Sequence, residues 1–306
     1  SRKESRKGFN YRPKKVTAMK VTVYEVGPRD GLQALPQVIP IEQRVELINS
    51  LYDAGLKEVE EVSFVNPKLL PQMANAEEVF TGRGSALVLN KRGFDRAMAA
   101  GAKKINIVIS PCERFCIDNM GRRYQELLLS YRTFLHNYPK DRVRVYISMA
   151  FGSPVSGDFS KNHLDMVVRD AKMFGDTVVF ADTIGVAVND DIEYVADLAF
   201  KHDMIPALHL HHRDREDMAL SLVRSGLFSG IKEFDVSIGG LGGCPFAEGS
   251  GSNLSTEVLL RHIEAWGFEH GVDMKALKKA SALAFQLKSY EATSSPDSWA
   301  LSTLHG

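Results

Sequence analysis

Between residue 20 and about residue 270 the chain repeats one pattern eight times: a short run rich in β-branched residues, then a longer amphipathic stretch. The strand candidates are KVTVYEV (20–26), EVEEVSF (58–64), SALVL (85–89), KINIVIS (104–110), RVRVYISMA (142–150), DTVVFAD (176–182), IPALHLH (205–211) and EFDVSI (233–238). Helical stretches lie between them. In IEQRVELINSLYDAG (41–55), Ile41, Val45, Ile48 and Leu51 or Tyr52 share one face, and Gly55 ends the helix. Residues 91–102, 124–138 and 189–202 read the same way, the last with Asn189 and Asp190 offering an N-cap and early negative charge. DMKALKKASALAFQLKSYEA (273–292) reads as one more helix. Strand–helix alternation implies a parallel sheet with right-handed crossovers. Eight units in about 250 residues close a (β/α)8 barrel. The rival is an open doubly wound sheet, but no G-x-G-x-x-G follows the first strand. The expectation is therefore an α/β chain folded as a (β/α)8 TIM barrel with an additional C-terminal helix. Residues 21–306 form this single domain, and residues 1–20 precede it as a basic extension.

That extension, SRKESRKGFNYRPKKVTAMK, holds eight Lys/Arg against one Glu and has almost no apolar periodicity. It reads as a solvated tail, with a basic arm or a trimmed targeting remnant as alternatives. Elsewhere the charges balance, for a net charge of +0, so no global field favours nucleic acid or an anionic membrane. No apolar run approaches the roughly 20 residues that span a bilayer. Three cysteines do not make a disulfide framework, which fits a reducing compartment. The expected location is the cytoplasm, or an organellar matrix if the basic start is a targeting remnant.

In such a barrel, chemistry sits where strands end and loops begin. Strand one ends in GPRDGLQ, giving Arg29, Asp30 and Gln33; strand two carries Glu60, Glu61 and Ser63. Strand four runs into SPCERF, with Asn119 beyond it; strand six ends in Asp182. Strand seven ends in IPALHLHHRDRED, which places three of the chain's 9 histidines within four positions. His209 and His211 are two apart on a strand and point the same way, whereas His212 points away or starts the loop. Strand eight opens into GGLGGCPFAEGSGSN, with Cys244 and Asn253. Strands seven, eight and one are neighbours in a closed ring, so His209, His211, Asn253 and Asp30 converge. Two imidazoles, an amide oxygen and a carboxylate suit a hard or borderline divalent ion with open positions. The competing reading is two histidines hydrogen-bonded in the barrel mouth. Six glycines between 239 and 251 suit a loop that approaches a ligand closely. Cys244 within it is either a buried thiol or a proton donor over the metal. Cys112 and Cys116 have no second pair to complete a zinc site.

GPRDGLQ, VSFVNPKLLPQM, ADTIGV, the H-x-H pair and GGLGGCPFAEGSGSNLSTE together resemble the 3-hydroxy-3-methylglutaryl-CoA lyase family, in register from about residue 21 to about 288. The resemblance implies a metal-dependent barrel lyase. It implies Asp30, His209, His211 and Asn253 as metal ligands, with Mg2+ or Mn2+ as the ion. It implies Arg29 as catalytic arginine, Glu60 as active-site glutamate and Cys244 as catalytic cysteine, with Asp30 and His209 also serving proton transfer. Asp182 and Glu257 fall at positions of supporting acids. Arg29, Gln33, Ser63 and Asn119 fall in segments that line the acyl-CoA site. A homodimer is the expected assembly.

The sequence also departs from that pattern. His212 and Arg213 follow the second metal histidine where an acid or amide and a threonine are usual. Pro111, Cys112 and Glu113 replace a small residue, Ser and Glu. FGSPVSGDFS, which includes Val155, stands where a Cys-Pro-Tyr-like turn is usual. These places flank substrate rather than hold metal. The expected reaction is cleavage of a 3-hydroxyacyl-CoA into an acyl-CoA and a 3-oxo acid. The alternatives are a condensing enzyme of the same superfamily and an acyl-CoA-binding barrel without turnover.

Overall fold

The computed structural model describes residues 19–154, 159–212, 215–242 and 251–289. Its strands and helices alternate along the chain. β1 (Thr22–Glu25) leads to α1 (Ile41–Asp53), and β2 (Glu58–Ser63) to the short α2 (Ala76–Val79). β3 (Ser85–Leu87) precedes α3 (Lys91–Ala99), and β4 (Lys104–Ile109) precedes two helices, α4 (Glu113–Met120) and α5 (Tyr124–Leu135). Then come β5 (Val143–Ile147), α6 (Lys161–Ala171), β6 (Thr177–Asp182), α7 (Asn189–Lys201), β7 (Ile205–His212), α8 (Glu216–Phe228) and β8 (Glu233–Val236). After β8 come a two-residue strand β9 (Ser252–Asn253), α9 (Thr256–Ala265) and α10 (Met274–Lys288). Strands β1 to β8 pair in parallel with their neighbours; β6–β7 and β1–β8 pairing closes the ring. The expected TIM barrel is what forms.

Several boundaries differ from expectation. The fifth strand stops at Ile147 rather than 150, because residues 148–151 turn. The eighth stops at Val236, where a tight turn at Ile238–Gly240 begins. The N-cap of α7 is Val188, not Asn189; the negative charge works one turn in, where Asp191 accepts the Val188 N–H at 3.2 Å. The C-terminal helix ends at Lys288 and buries Leu277, Ala280, Ala284 and Leu287, packing against α1. Among the described residues no helix is long and apolar enough to cross a membrane.

Strand parity sorts the side chains. On β4, Ile105, Ile107 and Ile109 join the main apolar core shared with Leu47, Ile48 and Leu51 of α1 and Leu127 and Tyr131 of α5. Each such side chain contributes roughly 1.5–3 kcal/mol by leaving water. The alternate residue Asn106 faces inward, where its amide donates to Glu60 Oε1 at 2.7 Å. Inside the barrel, branched apolar packing is replaced over half the ring by polar contacts. Arg144 donates to Glu233 at 2.5 Å and Asp235 at 2.8 Å, and lies over the Tyr24 ring at 3.8 Å. Tyr146, Val179 and Ala207, with Val108 against them, fill the other half.

Candidate active site

At the end of β1 the backbone coils tightly. The Val26 carbonyl accepts from the N–H groups of Arg29, Asp30 and Gly31 at 3.1, 2.7 and 3.2 Å. Pro28 fits the turn because it brings no N–H of its own to satisfy. A wide turn of this kind inside regular structure often marks a functional site. Here it presents Arg29 and Asp30 together at the carboxyl end of the barrel. Arg29 donates from Nε to Glu60 Oε2 at 2.5 Å and from Nη1 to Asp30 Oδ1 at 2.7 Å. Burial pushes the Glu60 carboxyl up, and the Arg29 charge only partly offsets it. For Asp30 the balance is reversed: burial raises it, but Arg29, His209 and the Asn253 amide outweigh that and hold it at about 2.

The histidines arrive from β7 as strand parity requires. His209 and His211 are both buried, with their Nε2 atoms 3.2 Å apart. Each ring is held from behind. His211 Nδ1 donates to the Thr183 carbonyl at 3.1 Å, which fixes its proton there, since a carbonyl only accepts. His209 Nδ1 lies 3.2 Å from Asp235 Oδ2. Burial and the neighbouring His209 depress His211 to about 4. Burial also opposes charge on His209, but the bond to Asp235 and the charge of Asp30 hold it above its ordinary value.

Asn253 comes from an unexpected direction. The chain leaves β8, returns as β9, and pairs antiparallel with the end of β7, so that Asn253 stands opposite His211 and Ser252 opposite His212. The Asn253 amide donates to Asp30 Oδ2 at 2.7 Å and to the Leu241 carbonyl at 3.0 Å. Gly242, at φ 111, permits this approach; a Cβ there would lie within 2.4 Å of the Asn253 amide nitrogen.

These groups fit a divalent ion. Ligand atoms of Asp30, His209 and His211 lie within 4.8 Å of one another. Among the described residues, Asn253 Oδ1 is buried and has no hydrogen-bond partner. A buried, unpaired carbonyl oxygen is costly, and a metal bond relieves it. Hydrogen bonds behind both imidazoles direct the Nε2 lone pairs into the same space. Three further buried oxygens, Gln33 Oε1, Ser63 Oγ and Ser237 Oγ, have no partner among the described residues and lie just past or at the ends of β1, β2 and β8. They suit a polar ligand entering the mouth.

The other expected residues divide. Asp182 closes the turn after β6, accepting from the N–H groups of Val186 and Ala187 at 2.8 and 3.1 Å. Glu257 accepts from Gly239 N–H at 3.0 Å and from the Ser255 and Ser281 hydroxyls, tying the β8 turn to α9 and α10. Asp182 thus orders backbone after β6, and Glu257 orders backbone and two serine hydroxyls after β8. Asn119 lies on α4 and donates to the Phe115 carbonyl of its own helix at 3.3 Å; among the described residues it shares no bond with the ligand groups. Cys244, Arg213, Asp214, Val155 and the His212 side chain lie outside the described residues. Asp235, Thr183 and Tyr146 were not singled out from sequence, yet they form the second layer. The Tyr146 hydroxyl donates to Asp235 Oδ2 at 2.7 Å, the same oxygen that faces His209. Their signal was parity: Arg144 and Tyr146, and Glu233 and Asp235, put polar groups two apart on core strands.

The chain is similar to several known proteins. The family model described as HMGL-like matches residues 20–284. The hydroxymethylglutaryl-CoA lyase of Pseudomonas mevalonii is 34% identical over 267 residues, covering 84% of this chain and 89% of that protein. The Pseudomonas aeruginosa protein named 3-hydroxy-3-isohexenylglutaryl-CoA/hydroxy-methylglutaryl-CoA lyase is 34% identical over 271 residues, 85% of this chain and 90% of that one. A solved HMG-CoA lyase of Acinetobacter baumannii, in complex with coenzyme A and 3-methylmalate, superposes with a TM-score of 0.82 at 30% identity, covering 90% of this chain and 93% of that one.

Proposed function

The chain belongs to the HMGL-like family, and on that premise we propose that it is a divalent-metal-dependent carbon–carbon lyase. Its substrate is a 3-hydroxy-3-methylglutaryl-CoA-like thioester and its products are an acyl-CoA and a 3-oxo acid. The observation that carries the reading is the convergence of the His209 and His211 Nε2 atoms, the Asp30 carboxylate and the unpaired Asn253 Oδ1 beside a buried Arg29–Glu60 pair.

A divalent ion held by Asp30, His209, His211 and Asn253, read as Mg2+ or Mn2+ for this mixed oxygen and nitrogen donor set, would supply Lewis acidity and a template for the substrate's oxygens. The Asp30 carboxylate, ionised above pH about 2, accepts the proton of the C3 hydroxyl, with His209 beside it. The C2–C3 bond then breaks; C3 becomes the ketone of the 3-oxo acid, and the electron pair moves into the enolate of the departing thioester. Arg29 faces that thioester oxygen. Glu60 and Asp30 engage only two of its five N–H groups, which leaves donors for the developing negative charge. Asn106 holds Glu60, and Glu60 holds Arg29, so the donor is oriented before substrate arrives. Cys244 delivers a proton to the enolate carbon; a thiol with an ordinary pKa of ~8.5 suits that task. Ser63 and Gln33 offer partnerless oxygens to the substrate's polar groups. The protein is read as a cytoplasmic homodimer.

The test is direct. Metal-replete protein incubated with 3-hydroxy-3-methylglutaryl-CoA should release acetyl-CoA and acetoacetate in equal amounts, and EDTA should stop the release. Binding of the thioester without product would favour a binding barrel. Condensation of an acyl-CoA with a 2-oxo acid, without cleavage, would favour a synthase.

A further inference from the structure

The mouth of the barrel has two chemically different halves. The metal ligands, Arg29 and Glu60 occupy the side built by β7, β9, β1 and β2. Past the ends of β4, β5 and β6 lies a small apolar cluster, Cys112, Met149 and Ile184, with Phe115 packed against it. It is separate from the main sheet–helix core and from the apolar filling inside the barrel. It is also close to the metal side. Met149 N–H donates to Thr183 Oγ1 at 2.8 Å, and the carbonyl of that same threonine holds His211.

Met149 is unusual in its backbone. Its φ is 57, in the left-handed region that a glycine would adopt freely, yet it is a long side chain that is only 4% exposed. Strained residues persist where surrounding structure over-determines them, and they cluster at functional sites. The side chain fills the place between the loops that follow β4 and β6. The substrate's hydroxyl, carboxylate and thioester all belong with the polar half. The alkyl branch on C3 is apolar and next to the breaking bond, which matches the Cys112, Met149 and Ile184 cluster rather than the charged half.

We propose that Met149, seated with Cys112 and Ile184, is the wall that sets the size of the C3 alkyl branch, admitting a methyl group and refusing a long chain. The proposal rests on the lyase reading above. It makes Met149 a specificity-determining residue, distinct from the groups that act on the reacting atoms.

The test compares two thioesters with the full-length, metal-replete protein: 3-hydroxy-3-methylglutaryl-CoA and its analogue with a six-carbon branch. Met149→Gly removes the wall and suits the left-handed backbone. Ile184→Ala opens the same wall from the β6 loop and serves if the first variant does not fold. In either variant, kcat/KM for the long branch relative to methyl should rise at least about tenfold, the scale on which apolar pockets discriminate single methylenes. The dissociation constant of a non-cleavable 3-deoxy analogue with the six-carbon branch should tighten in parallel. The wall is overturned if folded variants keep the wild-type ratio, or if wild-type protein already accepts the long branch as well as methyl. Wild-type protein that binds both thioesters but cleaves neither would overturn the lyase reading itself, a separately visible outcome.

Discussion

His209 and Asp235 stand in register on neighbouring strands β7 and β8, with Nδ1 and Oδ2 3.2 Å apart. A carboxylate behind a ligating imidazole fixes the tautomer and raises the basicity of the other nitrogen. The same carboxylate anchors Arg144 and the Tyr146 hydroxyl, so the group behind His209 is itself held in place.

Asp235→Asn should therefore weaken Mn2+ or Mg2+ binding by about 10–100-fold. Calorimetric titration of protein verified as folded measures this. Unchanged affinity would leave Asp235 as a structural partner of Arg144 and Tyr146.

Arg29→Met should lower kcat by about 10²–10³-fold with little change in KM, the effect of losing a donor that acts mainly in the transition state. Lysine should rescue only in part, since it lacks the planar fork. The rival account is that Arg29 only neutralises Glu60. In that case the variant loses thermal stability but its folded fraction turns over normally, and steady-state kinetics on folded protein separate the two.

Cys244→Ser should keep metal and thioester binding while kcat falls by about 10²-fold or more, the range for lost acid–base catalysis. A variant with wild-type kcat would remove Cys244 from the proton path.

Glu25 gives a pH signature. Its carboxyl is fully buried and is pushed up to about 7 by burial, despite hydrogen bonds from the Thr256 hydroxyl and the Ile238 and Gly27 N–H groups. The native state thus holds this proton more tightly than the unfolded chain does. The stability contribution is full below the unfolded value and is lost as pH rises through about 7. The whole effect is about 3 kcal/mol. Glu25→Gln cannot titrate, so between pH ~5 and ~8 its stability relative to wild type should improve by most of that amount. Urea denaturation at the two pH values measures it; curves that stay parallel would show that the carboxyl does not titrate in this range.

The fold was legible because eight strand–helix units leave few ways to close a sheet. The convergence of His209 and His211 was legible because the H-x-H spacing fixes them on one face of a strand. Asn253 could be assigned to the cluster but not to its route. Two residues of β9 carry too little pattern to announce a strand that turns back against β7. Asp235 and Tyr146 were hidden for another reason. EFDVSI and RVRVYISMA look like ordinary core strands, and only a closed barrel tells an inward acid to find an inward arginine and tyrosine. The placement of Asn119 on α4 was not legible, because a family segment fixes a neighbourhood, whereas a helix position fixes where a side chain goes.

Asp30 and Asn253, joined at 2.7 Å, are 223 residues apart in the chain. A chain being synthesised from its amino terminus therefore carries Arg29, Asp30 and both histidines long before it can hold an ion with all four ligands. The last ligand emerges only after β8 has been made and the ring can close. On the four-ligand reading, metal capture would report that the barrel is complete, because a chain ending before β9 lacks Asn253 and the hydrogen bond it donates to Asp30. Because the ion binds the finished state, it also draws that last step forward by mass action.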